Sequence, residues 1–212
     1  MISDVTGVLL AGGKSRRMGV DKRFLTVGER PLLERSRNVL SQIFERVCIV
    51  IAQDSPLLEA QIPVVRDLIP SSGSLGGMYT GLHQAATPYV FLAACDMPFI
   101  RTDLVRHMVN QRDEMDVVMA YWNGQPQPTH AIYSRNCLPV VEELIKGGDL
   151  KIQRLITAPA LRVRLIAEDE IRKIDPDGRS FLNINTPPDL DLARSLCGDL
   201  MDDRYGDPTE HA

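Results

Sequence analysis

Short apolar runs alternate along the chain with segments whose apolar positions recur at helical spacing. The runs predict strands over 5–10, 47–52, 64–65, 89–94, 116–121, 129–133 and 162–166. Those at 47–52 and 89–94 are apolar almost throughout, the pattern of strands covered on both faces. Helical spacing predicts helices over 31–43, 78–86, 102–111, 135–146, 150–157 and 188–196, with a short one opening at Asp54-Ser55-Pro56. In the first, Leu32, Leu33, Val39, Leu40 and Ile43 share a face, and Pro31 pre-sets the opening turn. Thr102 or a residue nearby is the expected cap of the third. Asn123-Gly124 reads as a hairpin turn between two strands. The stretch 71–77, Ser-Ser-Gly-Ser-Leu-Gly-Gly, reads as a flexible loop. Strand and helix in alternation predict an α/β domain whose mostly parallel sheet has helices on both faces.

Composition narrows this picture. A chain of 212 residues suits one domain with a full core. We expect that domain over 1–197 and a disordered polar tail over 198–212. The net charge of −4 provides no general field for nucleic acid. Cys48, Cys95, Cys137 and Cys197 lie far apart without a Cys-x-x-Cys pair, which argues against a zinc or redox centre and fits a reducing, cytoplasmic setting. Asp4 interrupts any signal-peptide pattern, and no apolar run reaches bilayer length, so no membrane association is expected.

Chemistry concentrates behind the first strand, in Leu9-Leu10-Ala11-Gly12-Gly13-Lys14-Ser15-Arg16-Arg17-Met18-Gly19-Val20-Asp21-Lys22. Glycine lets backbone N–H groups approach a ligand, successive N–H groups can form an anion nest, and the cations can meet phosphate oxygens. Gly13-Lys14-Ser15 looks like the end of a P-loop, but Val8 stands where that motif needs its first glycine, and 8–10 belong to the strand. A plain surface loop is the remaining alternative. At the end of the strand over 89–94, Asp96 is placed to ligate Mg²⁺ beside a polyphosphate, with capping of the next turn as its structural alternative. No Ser/His/Asp or Cys/His arrangement suggests covalent catalysis.

Leu10-Ala11-Gly12-Gly13, Arg17-Met18-Gly19 and Asp21-Lys22, together with Asp67, Cys95-Asp96-Met97-Pro98 and Asn183-Ile184-Asn185-Thr186-Pro187, resemble the molybdenum cofactor guanylyltransferases, the MobA family. The resemblance spans roughly 6–192. It implies a single three-layer Rossmann-like nucleotidyltransferase domain. It also implies transfer of GMP from GTP to the terminal phosphate of the molybdenum-molybdopterin cofactor, with Mg²⁺ required. On this reading Leu10, Ala11, Gly12, Gly13, Lys22, Asp67, Leu75, Gly76 and Asp96 form the nucleotide site. Arg17, Lys22 and Asp96 serve catalysis, and Asp96 with Asn183 holds the metal. The segment 72–77 resembles the part that closes over the base, through the backbone of Leu75 and Gly76. A carboxylate at Asp67 could accept the N1–H and 2-amino donors of guanine. The family usually has an asparagine after its second strand, where this chain reads Ala52-Gln53. Gln127-Pro128-Thr129-His130 resembles the acceptor side, so His130 either faces the pterin or packs in the core. Expected partners are GTP, molybdenum-molybdopterin and, transiently, molybdoenzymes and other cofactor-biosynthesis proteins, with the chain a monomer or weak oligomer. Alternatives are CTP with the same pterin, a sugar phosphate acceptor, or a GTP-binding module without catalysis.

Overall fold

In a computed structural model the described residues are 1–12, 21–58 and 60–202, the last five by backbone alone. The strands are β1 (Ile2–Leu10), β2 (Thr26–Val27), β3 (Arg30–Pro31), β4 (Phe44–Ile51), β5 (Val64–Arg66), β6 (Tyr89–Ala94), β7 (Val117–Trp122), β8 (Gln125–Ser134) and β9 (Val163–Ile166). The helices are α1 (Leu32–Ile43), α2 (Gly73–Gln84), α3 (Thr102–Asn110), α4 (Leu138–Lys146), α5 (Glu168–Arg172) and α6 (Pro187–Asp202). Seven strands form one sheet in the order β5-β4-β1-β6-β8-β7-β9. All its neighbouring pairs are parallel except those made by β8, which runs against β6 and β7. β2 and β3 form a separate hairpin.

Alternation along β1 explains the layers. Val5 and Leu9 point to a core shared with α1 and α3, through Leu40, Ile43, Leu104 and Met108. Val8 and Leu10 point to the opposite core, built with Leu75, Met78 and Leu82 of α2 and Val141 of α4. Helices therefore cover both faces, as the unbroken apolar strands require. A third cluster seats Leu190, Ala193 and Cys197 of α6 against Val27, Leu32 and Phe99.

Several expectations change. No helix follows Asp54: the Arg66 guanidinium donates to the carbonyls of Ala52 (3.4 Å), Gln53 and Ser55 (3.0 Å), holding this stretch as a turn. α2 begins at Gly73, inside the segment expected to be a loop. Its glycines serve close packing, since a Cβ on Gly77 would lie 2.8 Å from Leu10 Cδ2 and one on Gly81 2.7 Å from Val8 Cγ1. The cap of α3 is Arg101, next to Thr102, and it makes no side-chain capping bond; its own N–H donates to Ser180 Oγ at 3.3 Å. Residues 152–157 form a 3-10 helix rather than an α-helix. The backbone of α6 stays helical past the expected end at Leu196, through Asp202, while 203–212 lie outside the described residues. The Asn123-Gly124 turn is as expected, with φ of 51° and 71°.

Two buried polar groups on or beside β8 contribute to the pH dependence of stability. Burial alone would raise the Asp116 carboxyl, but the Arg162 N–H (2.9 Å), Asn136 Nδ2 (2.8 Å) and Ser134 Oγ (3.0 Å) all donate to it and hold it below its ordinary value. Its contribution to stability is present above the carboxylate range and lost as pH falls through its lowered value. His130 is fully buried with neither ring nitrogen hydrogen-bonded, and burial pushes its imidazole from 6.5 down to about 4, against the pull of Asp175. Between those two values the unfolded chain takes up a proton that the folded chain refuses. Stability contributed by a neutral His130 is therefore complete above 6.5 and declines towards 4 by about 1.4 kcal/mol per pH unit. Urea unfolding of His130→Leu across this window should show a pH slope shallower than wild type by about that amount; parallel curves would contradict the assignment.

Candidate active site

The chain passes from β1 to β4 and β5 on one side, then returns to β6 on the other, so the strand order reverses between β1 and β6. Open α/β sheets bind ligands at the carboxyl ends of strands at such a point. Hydrogen bonding persists to the rim: Ala11 N–H donates to Val50 O at 2.8 Å, and Cys95 N–H to Leu10 O at 3.0 Å. The Ala11 N–H, expected to hold phosphate, is therefore occupied within the sheet. The chain leaves at Gly12, where a Cβ would stand 2.9 Å from Ala52 N. Gly13, Lys14, Arg16 and Arg17, which carry part of the expected phosphate site, lie outside the described residues.

On this rim Lys22, Asp96 and Asn185 meet. Lys22 Nζ donates to Asn185 Oδ1 at 2.8 Å and lies 3.7 Å from Asp96 Oδ2. The Lys22 and Asp96 side chains are only 17% and 22% exposed, so water screens the pair weakly. Burial raises the Asp96 carboxyl above its ordinary value, and Lys22 opposes the shift without cancelling it. Each member is held separately. Lys22 opens a 3-10 turn capped by Asp21, whose Oδ1 accepts the Arg23 N–H at 3.1 Å. The buried Arg23 guanidinium also pairs with both Asp21 oxygens, through Nε at 2.9 Å and Nη2 at 2.5 Å. That pairing lowers the Asp21 carboxyl and raises the Arg23 guanidinium. Ile184 N–H donates to Asp96 O at 3.0 Å, which draws the segment before α6 onto the end of β6. Asp189 Oδ2 accepts the N–H groups of Asn185 (2.9 Å) and Thr186 (2.8 Å), and these bonds hold its carboxyl low. The Thr186 hydroxyl in turn accepts the Asp189 N–H at 3.4 Å, so the two residues cap the start of α6 reciprocally.

Two flanks extend from this centre. On the β5 side, Asp67 N–H donates to Ile51 O at 2.8 Å, and its Oδ2 stands 3.1 Å from where a Cβ on Gly76, in the first turn of α2, would lie. Leu75 is fully buried there, and Gly76 N–H is spent on Ser72 O at 3.1 Å. On the β7 side is a cleft of about 730 Å³, lined among others by Trp122, Gln125, Gln127, Arg179, Phe181 and Asn183. Trp122 stacks on Phe181 at 5.5 Å with 26° between the rings, and the Arg172 guanidinium lies 4.6 Å from the indole centroid. Gly178 has φ of 63°, and a Cβ there would lie 2.1 Å from Trp122 Cζ2, so both backbone and packing demand glycine.

Asn183 and Asn185 thus take different places. Asn185 joins Lys22, whereas Asn183 donates through Nδ2 to Phe181 O at 3.2 Å and lines the cleft. His130 faces the core, edge-on to Phe91 and Phe181 at 5.3 and 5.0 Å. Sequence reasoning missed Arg23, which sits beside the basic loop without periodicity to mark it. It also missed the aromatic cleft, to which the chain's single tryptophan was the available pointer.

A strand-order reversal in a mostly parallel sheet, with Lys22 set there between a carboxylate and an amide, is the frame of an α/β nucleotide-binding domain. The family model of the MobA-like NTP transferase domain matches residues 7–163. The chain is 37% identical over 191 residues to the "Probable molybdenum cofactor guanylyltransferase" of Pelotomaculum thermopropionicum, covering 90% of this chain and 92% of that protein. It is 35% identical over 193 residues to the molybdenum cofactor guanylyltransferase of Desulfosudis oleivorans, covering 90% and 95%. The crystal structure of molybdopterin-guanine dinucleotide biosynthesis protein A from Archaeoglobus fulgidus superposes with a TM-score of 0.77 at 25% identity, covering 92% of this chain and 99% of that one. The chain belongs to the MobA-like NTP transferase family.

Gly178→Ala should lower stability by about 1–3 kcal/mol, the scale of overpacking, and shift the emission of the lone tryptophan as the indole is displaced. An unchanged melting midpoint and emission spectrum would show that Trp122 does not rest on Gly178.

Proposed function

We propose that the protein transfers GMP from GTP to the terminal phosphate of the molybdenum-molybdopterin cofactor, yielding the guanine dinucleotide cofactor and pyrophosphate. The observation that carries this reading is Lys22 Nζ, held 2.8 Å from Asn185 Oδ1 and 3.7 Å from Asp96 Oδ2, at the end of β6 where the strand order reverses. The names of the relatives support guanine and pterin as the substrates.

A phosphate oxygen of the acceptor attacks the α-phosphorus of GTP, and the bond from that phosphorus to the β-phosphate bridge oxygen breaks. The acceptor is already anionic near neutral pH, so no side chain needs to remove a proton. The barrier lies in bringing anions together and in the charge that develops around phosphorus, which makes positioning and electrostatics the protein's task. Lys22 is suited to exchange its carboxylate contact for an α-phosphate oxygen and to stay aligned through Asn185. Arg17 and the N–H groups of Gly12 and Gly13 complete the phosphate site in this proposal.

The donor types fit Mg²⁺: Asp96 offers a hard carboxylate oxygen and Asn183 an amide oxygen, since the Asn185 amide oxygen is engaged by Lys22. No group of three His, Cys, Asp or Glu side chains that could cage a metal occurs among the described residues, so most ligands would come from phosphate and water. When bound, Mg²⁺ would neutralise phosphate charge and favour ionised Asp96. The Trp122 cleft suits the pterin, offering aromatic walls and the amides of Gln125, Gln127 and Asn183 for a flat ring rich in donors and acceptors. No described helix is long and apolar enough to cross a membrane. We place the protein in the cytoplasm, where it would hand its product to molybdoenzymes.

Pyrophosphate release from Mg²⁺-GTP on adding the molybdenum-molybdopterin cofactor tests the whole reading. Wild type should release pyrophosphate only with acceptor present and faster with GTP than with CTP, UTP or ATP; acceptor-independent or base-indifferent release would contradict it. Lys22→Ala should lower turnover by about 10²-fold or more, the scale of losing one transition-state donor. Asp96→Ala should abolish Mg²⁺-dependent transfer while circular dichroism stays native, and substantial remaining turnover in either variant would remove that residue from the chemistry.

A further inference from the structure

Asp67 presents its two carboxylate oxygens unequally. Oδ1 accepts the Thr80 hydroxyl at 2.9 Å and the Ile69 N–H at 3.2 Å. The same Thr80 oxygen accepts the Leu68 N–H at 2.9 Å, so one hydroxyl ties both the side chain of Asp67 and the backbone after it. Thr80 lies on α2 and is fully buried. One helical turn earlier on the same face is Gly76, where a Cβ would stand 3.1 Å from Asp67 Oδ2. Thr80 thus fixes the rotamer through Oδ1, while the missing side chain at Gly76, where a Cβ would also lie 2.7 Å from Ser72 Cβ, lets α2 close on Asp67, and Oδ2 accepts neither of the bonds that hold Oδ1.

We propose that Thr80 is a positioning residue for guanine selection: it anchors Asp67 Oδ1 so that Oδ2 faces the base as a fixed acceptor. This rests on the reading of Asp67 as part of the nucleotide site. A carboxylate pinned by two donors loses little freedom when it accepts the guanine N1–H and 2-amino groups, whereas an unpinned one must be ordered at each binding event. The Thr80 hydroxyl touches neither base nor phosphate in this account and acts only through Asp67.

The test is calorimetric titration of Mg²⁺-GTP and Mg²⁺-ITP, which lacks the 2-amino group, into wild type, Thr80→Val, Thr80→Ser and Asp67→Asn without acceptor. Wild type should prefer GTP by about tenfold, the scale of one hydrogen bond to a charged group. Thr80→Val removes the hydroxyl at nearly constant volume. It should weaken GTP by about tenfold and ITP by only about threefold, Thr80→Ser should restore both within about twofold, and Asp67→Asn should abolish the preference. Thr80→Ala removes the same hydroxyl and is read the same way if the valine variant does not fold. Equal weakening of both nucleotides in Thr80→Val would reduce Thr80 to a structural residue, and failure of serine to rescue would overturn the role of the hydroxyl. A wild type that binds GTP and ITP alike, or neither, would overturn the proposal at Asp67. Failure of pyrophosphate release with normal GTP preference would instead refute only the transfer reaction.

Discussion

Three segments far apart in sequence meet at one ammonium group. Lys22 comes from the turn after the glycine loop, Asp96 from the end of β6 and Asn185 from the lead into α6, and they meet at 2.8 and 3.7 Å. A pair this little exposed adds little to stability, because desolvation offsets much of its attraction. Its importance is positional. The Asp21–Arg23 pair fixes the turn that carries Lys22, the Ile184–Asp96 backbone bond fixes the approach of the last segment, and Asp189 caps that segment into α6. A phosphate oxygen arriving here would meet a cation whose location was settled by folding, which is how a site lowers a barrier without reorganising.

The scaffold makes this constraint possible. β1 is covered on both faces, with Val5 and Leu9 in one core and Val8 and Leu10 in the other, so its end is rigid where the loop begins. The glycines of α2 let that helix sit against β1 closely enough to bring Thr80 beneath Asp67. The Asp67 flank and the Trp122 cleft therefore lie on one rim, on either side of Asp96, and each is built from different strands.

Much of this was legible in the chain. The apolar runs marked the main strands, because strands covered on both faces need no alternation to be visible. The glycine and lysine pattern drew attention to the end of β1, Asp96 stood out by following such a run, and the structure brings Lys22 and Asp96 to one rim. What stayed hidden was tertiary. The α2 glycines read as flexibility, though they answer to close approach by β1, and periodicity cannot report what packs against a helix. α5, the β2–β3 hairpin and the 3-10 turns are too short to carry a period. The division of labour between Asn183 and Asn185 was invisible because it depends on which of them meets a lysine distant in sequence. His130 could not be assigned to core or cleft until its aromatic neighbours, Phe91 and Phe181, were in place.

The most direct test of the central claim is a crystal structure with Mg²⁺ and the α,β-methylene analogue of GTP, which cannot be cleaved between the α- and β-phosphates. The account predicts the triphosphate at Gly12, an α-phosphate oxygen hydrogen-bonded to Lys22, the metal on Asp96 and the guanine beside Asp67. A nucleotide bound away from this rim, or a Lys22 that makes no phosphate contact while the nucleotide is present, would contradict it.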